Sequence, residues 1–223
     1  MDVQEALLSR KSMRAYLPTP VSKETVTRIL DLSARQASGT NTQPWKVHVV
    51  MGDVKQKITD EVLAVRHSGK DEHTGEFTFY PSEWTEPYLS RRRTVGFALY
   101  DLVGIKKGET EKMLAQHDRN FMFFDAPVGL FFAIDKIMST GNWLDYGMFI
   151  GSIMTAARAE GLHTCPQYAW STYHAILRKY LNIPDSDTLI CGLSMGHADM
   201  SAPENTLVTE RVPADEFATF YGC

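Results

Sequence analysis

Arg10, Lys11, Ser12 and Arg14 place two guanidinium forks, an ammonium and a hydroxyl within one short segment near the N-terminus. Arginine offers a rigid donor set that matches a phosphate and keeps its charge at any physiological pH, so the chemistry indicated is anion binding. Taken alone, the cluster also reads as a solvated basic turn. Further along, SGTNTQPW (38–45) sets the amides of Asn41 and Gln43 and the hydroxyl of Thr42 beside the indole of Trp45. Its plain reading is a helix end followed by a polar turn, yet these amides donate and accept and so suit a flat, polar ring. Brought together, the two ends of this stretch could hold a ligand that carries both a phosphate and such a ring.

Other chemistries lack their usual signatures. There is no GxGxxG after a strand, no GxxxxGK[ST], no HExxH, no GxSxG and no CxxC. The seven histidines are scattered with no pair at i, i+4, so no metal is expected. Cys165, Cys191 and Cys223 are odd in number and lack metal-ligand spacing, which suits a reducing cytoplasm. The start, MDVQEALLSRKS, has no apolar core of a secretory signal, and no run of 18 apolar residues offers a membrane span. A net charge of -4, with Arg91, Arg92 and Arg93 as the only basic run, argues against nucleic acid as a partner.

The elements that must position these groups follow from periodicity. A short helix over 3–9 brings Arg10 to its C-terminal end, and Pro18 and Pro20 break the chain after it. Ser22 is an N-cap; Val26, Ile29, Leu30, Ser33, Ala34 and Ala37 then form one apolar face of a helix expected to run to Ser38 and Gly39. Strands are expected at KVHVVM (46–51), at VGLFFAID (128–135), whose unbroken apolar run predicts burial on both faces, and at DTLICGLSMGHAD (187–199). Helices are expected over 53–66, about 87–102, about 109–120 and about 172–181, with HTCPQ (163–167) extended. The most apolar helix begins at Asn142. Gly147, Gly151, Ser152, Ala156 and Ala157 thin its surface, which places it at the centre of the fold or of a subunit interface. The aromatic-rich stretch 67–84 reads as a loop with exposed rings, and the tail from Ala202 as largely extended.

Helices and strands interleave without regular βαβ alternation, so the class is α+β. At 223 residues, 43% hydrophobic and 22% charged, without repeats or linkers, the chain reads as one domain over 1–223 with a lid-like excursion around 67–125.

These residues resemble the nitroreductase family of flavin enzymes, in which an Arg-x-Ser-x-Arg/Lys segment and a Ser/Gly-x-Asn-x-Gln-Pro-Trp loop recur at this separation. The likeness continues through GNWLDYGMFIGSIMTAARAEGL, TCPQ, GHAD and Arg211, nearly the whole chain. YPSEWTEPYLSRRRTVGFALYDLVGIKKGE is most similar to the reductases of nitrobenzene and nitrobenzoate. The resemblance implies a nitroreductase-like fold, with a small central mixed sheet surrounded by helices, in an intertwined homodimer. It implies FMN as cofactor and NADH or NADPH as reductant. Arg10, Ser12 and Arg14 would bind the phosphate, ribityl chain and pyrimidine edge, with Lys11 acting mainly through its backbone. Asn41, Thr42 and Gln43 would reach the FMN of the partner subunit, and Arg211 would clamp the phosphate. Thr164, Cys165, Pro166 and Gln167 would face flavin N5 and the neighbouring carbonyl, with either a backbone amide or the Thr164 hydroxyl as the N5 donor.

Arg14 is the candidate to stabilise negative charge on the reduced flavin near N1 and O2. The chemistry belongs to the flavin, so no catalytic acid or base is assigned, and Cys165 is read as a small hydrophobe rather than a redox group. Tyr88, Arg91, Phe123 and Phe124 are the substrate candidates. Arg91 to Arg93 are successive on a helix, point in three directions and can send at most one side chain into a pocket. The implied reaction is ping-pong hydride transfer from the nicotinamide through the flavin to a nitroaromatic, carried through the nitroso to the hydroxylamino level. The same flavin site acting on a halogenated aromatic, a quinone or an enone, and a flavin-binding protein without turnover, are the alternatives.

Overall fold

A computed structural model describes residues 1–222; Cys223 lies outside them. Strands β1 (Lys46–Met51), β2 (Val128–Asp135), β3 (His163–Gln167) and β4 (Asp187–Gly196) form one sheet in the order β1-β2-β4-β3. The α+β class is as expected, but the sheet is not mixed: every strand pair in it is antiparallel. The parallel component is confined to an isolated bridge between Ser12 and Thr164. Strand direction is set by the connections, and each strand here returns against its neighbour through helices and loops.

β2 is buried on both faces, as its sequence requires. Phe131 and Ala133 join the cluster that contains Ile58, Val62, Phe121, Trp170 and Leu177. Leu130, Phe132 and Ile134 join Val26, Ile29, Phe149 and Ile153 in the other. Helices α3 (Gly52–His67) and α7 (His174–Leu181) therefore cover one face, with the 3-10 segments Arg119–Asp125 and Tyr168–Tyr173. Helices α2 (Lys23–Ser33) and α6 (Thr140–Ala159) cover the other. The short α1 (Val3–Ser9) lies against α6. Helices α4 (Tyr88–Leu102) and α5 (Thr110–Asp118) lie in the expected excursion, and α4 buries none of its residues. A last turn, α8 (Ala214–Phe217), sits in the otherwise irregular tail. Among the described residues no helix is long and apolar enough to cross a membrane.

Two local expectations need correction. Helix α2 ends at Ser33, a turn earlier than its apolar spacing suggested, and Ala34 and Ala37 are exposed. The buried Ser33 hydroxyl donates back to the Ile29 carbonyl at 2.7 Å, and the Arg35 and Gln36 amides close tight i to i−3 turns that stop the helix.

The second correction concerns Phe123 and Phe124, which are core residues rather than substrate contacts. Both adopt φ of 54°, in the left-handed region, at a cost of roughly 1–3 kcal/mol each. Burying each phenyl ring returns about 1.5–3 kcal/mol. The Phe123 ring is wedged against Trp170 (centroids 4.7 Å apart) and Phe131 (5.6 Å), directly over Gly129. A Cβ at position 129 would lie 2.2 Å from Phe123 Cε1. Gly129→Ala is accordingly expected to destabilise the protein by about 2 kcal/mol or more, measured as a lower urea midpoint at unchanged m-value; an unchanged midpoint would show that the ring is free to move.

Candidate functional site

The basic segment is stitched to the sheet by its backbone. Ser12 bridges Thr164 on β3, and the Met13 amide donates to the Thr164 carbonyl at 3.2 Å. Two residues on, the segment changes partner: Leu17 donates to the His197 carbonyl (2.8 Å) and Asp199 to the Ala15 carbonyl (3.0 Å). Met13, Ala15 and Tyr16 are buried, which fixes the segment's face. Asn205 completes the anchor from the far end of the chain. Its Oδ1 accepts from the Arg14 amide at 2.7 Å, and its Nδ2 donates to the carbonyls of Ala15 and Asp199, each at 2.8 Å. Arg119 adds a donor to the Arg14 carbonyl at 3.1 Å while pairing with Asp125 and Glu204.

This leaves Arg10, Lys11, Ser12 and Arg14 half-buried on one corner. Among the described residues, none of the three cations forms an ion pair. The Arg14 guanidinium makes one internal bond, to the Ser12 carbonyl at 3.2 Å. Three half-buried cations without counter-charges leave this corner with uncompensated positive charge, a chemistry suited to an anion.

β3 supplies the neighbouring groups. Thr164, Cys165 and Gln167 are buried, whereas Pro166 is exposed. The Thr164 hydroxyl is buried with no hydrogen-bond partner. Burial pushes the Cys165 thiol up to about 11, against the pull of Arg14, so the group stays protonated and behaves as a small hydrophobe. The Gln167 side chain is committed internally: it donates to the Asn120 carbonyl at 2.5 Å and accepts from the Ser194 hydroxyl at 2.6 Å.

Two cavities meet at Pro166, and Tyr80 and Tyr168 also line both. One, of about 470 Å³, is polar and is lined by Arg14, Arg66, Asn120, Cys165, Gln167 and Tyr173. Arg66 is held there by Asp118 (Nε to Oδ1, 2.6 Å) and the Tyr173 hydroxyl (3.1 Å), with its guanidinium 4.6 Å from the centroid of Phe121. The other cavity, of about 610 Å³, is aromatic and is walled by Phe77, Phe79, Trp143, Tyr146, Ile190 and Cys191. Both volumes fall within the range of small-molecule sites.

Asn41, Thr42 and Gln43 are not brought to this corner. They precede β1, at one edge of the sheet, while Ser12 lies beyond β3 at the other. Three strand spacings separate β1 from β3, about 14 Å. The loop is pinned by the Gly39 amide to Asp145 on α6 at 3.2 Å, and Trp45 stacks on Phe149 with centroids 4.6 Å apart. Thr40, Asn41 and Gln43 have positive φ, and Asn41, Thr42 and Gln43 are all exposed. Arg211 is exposed in the tail and bonds to Thr209 and to the Glu210 carbonyl. Tyr88 and Arg91 are exposed on α4, outside both cavities. Arg66, Arg119, Tyr168 and Asn205 shape the site without any signal in the local sequence, since each reaches it only through long-range packing, whereas Tyr80 comes from the stretch read as a loop with exposed rings.

Fold and geometry define an α+β protein with an unpaired cationic corner at a sheet edge, beside two adjoining cavities, one polar and one aromatic. The chain belongs to the nitroreductase family, whose pattern matches residues 7–197. It is 35% identical over 218 residues to nitrobenzene nitroreductase of Ectopseudomonas oleovorans, covering 98% of this chain and 96% of that protein. It is likewise 35% identical over 221 residues to 4-nitrobenzoate reductase of Pseudomonas putida, covering 99% and 96%. Among solved structures, the FMN and NADPH-dependent nitroreductase NfnB from sphigopyxis sp. strain HMH superposes over the full length of both chains, with a TM-score of 0.96 and 38% identity.

His163, at the start of β3, has a buried Nδ1 with no partner. Burial, with Arg158 and His197 nearby, pushes its pKa down to about 4. A histidine that titrates lower when folded than when unfolded, where its value is about 6.5, takes its proton preferentially in the unfolded state. Its stabilising contribution is therefore full above about pH 6.5 and declines as the pH falls toward 4. The melting temperature of His163→Gln should fall less steeply than that of the unsubstituted protein across this window; parallel curves would contradict the assignment.

Proposed function

We propose that the protein is an FMN-dependent NAD(P)H oxidoreductase that reduces nitroaromatic compounds. The observation that carries this reading is the set of unpaired cations Arg10, Lys11 and Arg14, carried beside β3 by the Ser12–Thr164 bridge, with Arg14 lining a polar cavity that meets an aromatic one at Pro166. Arg10, Ser12 and the Lys11 backbone hold the phosphate and ribityl chain. Arg14, which lines the polar cavity, faces the pyrimidine edge and favours the negative charge of the reduced ring. Thr164 to Gln167 lie along the ring's reactive edge, and the orphaned Thr164 hydroxyl fits a site that gains a polar ligand. FMN, when bound, supplies the hydride chemistry.

The aromatic cavity receives the acceptor ring, with Tyr88 and Arg91 offered by α4 on a lid-like excursion over 67–125 of a single domain. Reduction proceeds to the hydroxylamino level by two-electron steps, with NADH or NADPH leaving before the acceptor enters. NADPH is the reductant named for the solved relative, and nitrobenzene and 4-nitrobenzoate are the substrates named for the two sequence relatives. Buried, unpaired Cys165 and Cys191 suit a reducing cytoplasm.

The working form is an intertwined homodimer. Leu7, Leu32 and Met148 line a groove of about 630 Å³ between α1, α2 and α6, and each is at least 43% exposed. The tail adds Phe217, Phe220 and Tyr221, at 70% exposure or more. Apolar surface of this extent calls for a second copy. In that assembly Asn41, Thr42 and Gln43 serve the neighbouring flavin, and Arg211 comes to the phosphate as the tail docks.

Purified protein should be yellow or take up FMN, and bleach under anaerobic NADH or NADPH. Arg10→Ala and Arg14→Ala should each weaken FMN binding about 10- to 100-fold, as expected for loss of a charged hydrogen bond; protein that stays colourless with added FMN ends this reading. Leu7→Glu with Met148→Glu should yield a monomer that loses FMN although Arg10, Ser12 and Arg14 are intact. A monomer that retains the cofactor would remove the two-chain site.

A further inference from the structure

The segment 68–87 contains no helix or strand, yet it carries Phe77, Phe79 and Tyr80, one wall of the aromatic cavity. Packing alone holds that wall weakly, since Phe79 and Tyr80 are about half exposed, at 51% and 53%. The segment meets the body of the fold at a few points only: Phe79 stacks on Tyr168 (4.0 Å between centroids), Phe77 meets Trp143 edge-on (4.7 Å), and the Phe77 carbonyl accepts from the Tyr168 hydroxyl at 3.2 Å. The residue just before these rings is held quite differently. The Glu76 carboxylate is only 14% exposed and accepts from Arg178 Nη2 at 2.9 and 3.0 Å, from the Leu189 amide at 3.1 Å, and from Lys136 at 3.3 Å.

Leu189 is no ordinary strand position. The register of β4 against β2 slips there, with Phe132 opposite Cys191 but Ala133 opposite Leu189, so that Ile190 is the extra residue of a bulge. On its other side β3 pairs no further than Gly192. Ile190 and Cys191 form the opposite side of the same cavity. One carboxylate thus ties the amide at the bulge to the residue that precedes the ring wall, and Arg178 locks it in place by donating also to the Asp187 carbonyl at 2.5 Å.

We propose that Glu76 is a positioning residue for the acceptor: it fixes the separation of the two sides of the aromatic cavity, and so sets how firmly a planar, uncharged aromatic is held, while taking no part in holding the cofactor. The inference rests on the reading that this cavity receives the acceptor. Burial opposes the ionised form of Glu76, but the Leu189 amide and the surrounding cations outweigh it and keep its carboxyl below the usual range. The anchor is therefore charged at neutral pH.

The test is steady-state reduction of nitrobenzene by FMN-loaded Glu76→Gln at saturating NADPH. The expected result is a KM for nitrobenzene raised about tenfold, kcat within threefold of the parent, unchanged FMN content, and faster chymotryptic cleavage within 77–80. Glu76→Asp keeps the charge beside Arg178 but is one methylene short of the Leu189 amide; it should move KM in the same direction and stands in if the glutamine variant does not fold. Phe79→Ala, at a half-exposed ring, should reproduce the KM effect without altering FMN content. An unchanged KM in the folded Glu76 variants, or a fall in kcat that tracks lost FMN, overturns the proposal. Parent protein without nitrobenzene turnover would instead overturn the functional reading beneath it, so the two failures are distinguishable.

Discussion

The cationic corner depends on one amide side chain. Asn205 spends its oxygen on the Arg14 amide and its nitrogen on the carbonyls of Ala15 and Asp199, and in doing so holds the N-terminal segment in line with the end of β4. It is 3% exposed, so water could not replace those bonds, and each one lost would leave a buried polar group costing about 1–3 kcal/mol. An acidic residue there could accept from Arg14 but could not donate to the two carbonyls. The Arg14 end of the basic segment is thereby fixed by Asn205, and its Ser12–Met13 part by backbone pairing to Thr164.

Much of the architecture was legible in the chain because it is local. The two-sided burial of β2 follows from VGLFFAID, and the Ser22 cap with Val26 and Ile29 correctly marks where α2 begins. Apart from the end of α2, what was hidden is set by partners distant in sequence. The end of α2 depends on a serine that bonds within its own helix, and the antiparallel pairing of all four strands is written in no single strand. Phe123 and Phe124 were substrate candidates because aromatic residues near a turn suit a lid as well as a core. Only the fit of Phe123 over Gly129 shows that the turn folds inward. Within the site, Arg10, Ser12 and Arg14 were legible as a basic cluster, and the 164–167 stretch entered only through the family resemblance. Arg66 and Glu76 were not legible, since their partners lie 52 to 113 positions away.

The two cavities divide the physical work. On the polar side, Arg14 and Arg66 make a region of positive potential whose strength differs between the two: Arg66 is offset by Asp118, and Arg14 by nothing. On the aromatic side there is no charged lining group, and contact is by dispersion and ring quadrupoles. Pro166 lies between them and offers no amide hydrogen. A ligand ring crossing this point therefore meets charge on one side and apolar surface on the other. On the polar side the neutral thiol of Cys165 adds bulk without adding charge.

Asn41 and Ser12 lie at opposite edges of one sheet. In the proposed dimer, each flavin site would take its basic corner from one chain and its amide loop from the other. Two kinds of damaged chain, one altered at Arg10 and the other at Asn41, would each form inactive dimers with themselves. Mixed together they would assemble one wholly intact site alongside one doubly damaged site. Function would thus be inherited by the pair rather than by the chain, and a cell carrying both defective copies would recover activity that neither copy provides alone.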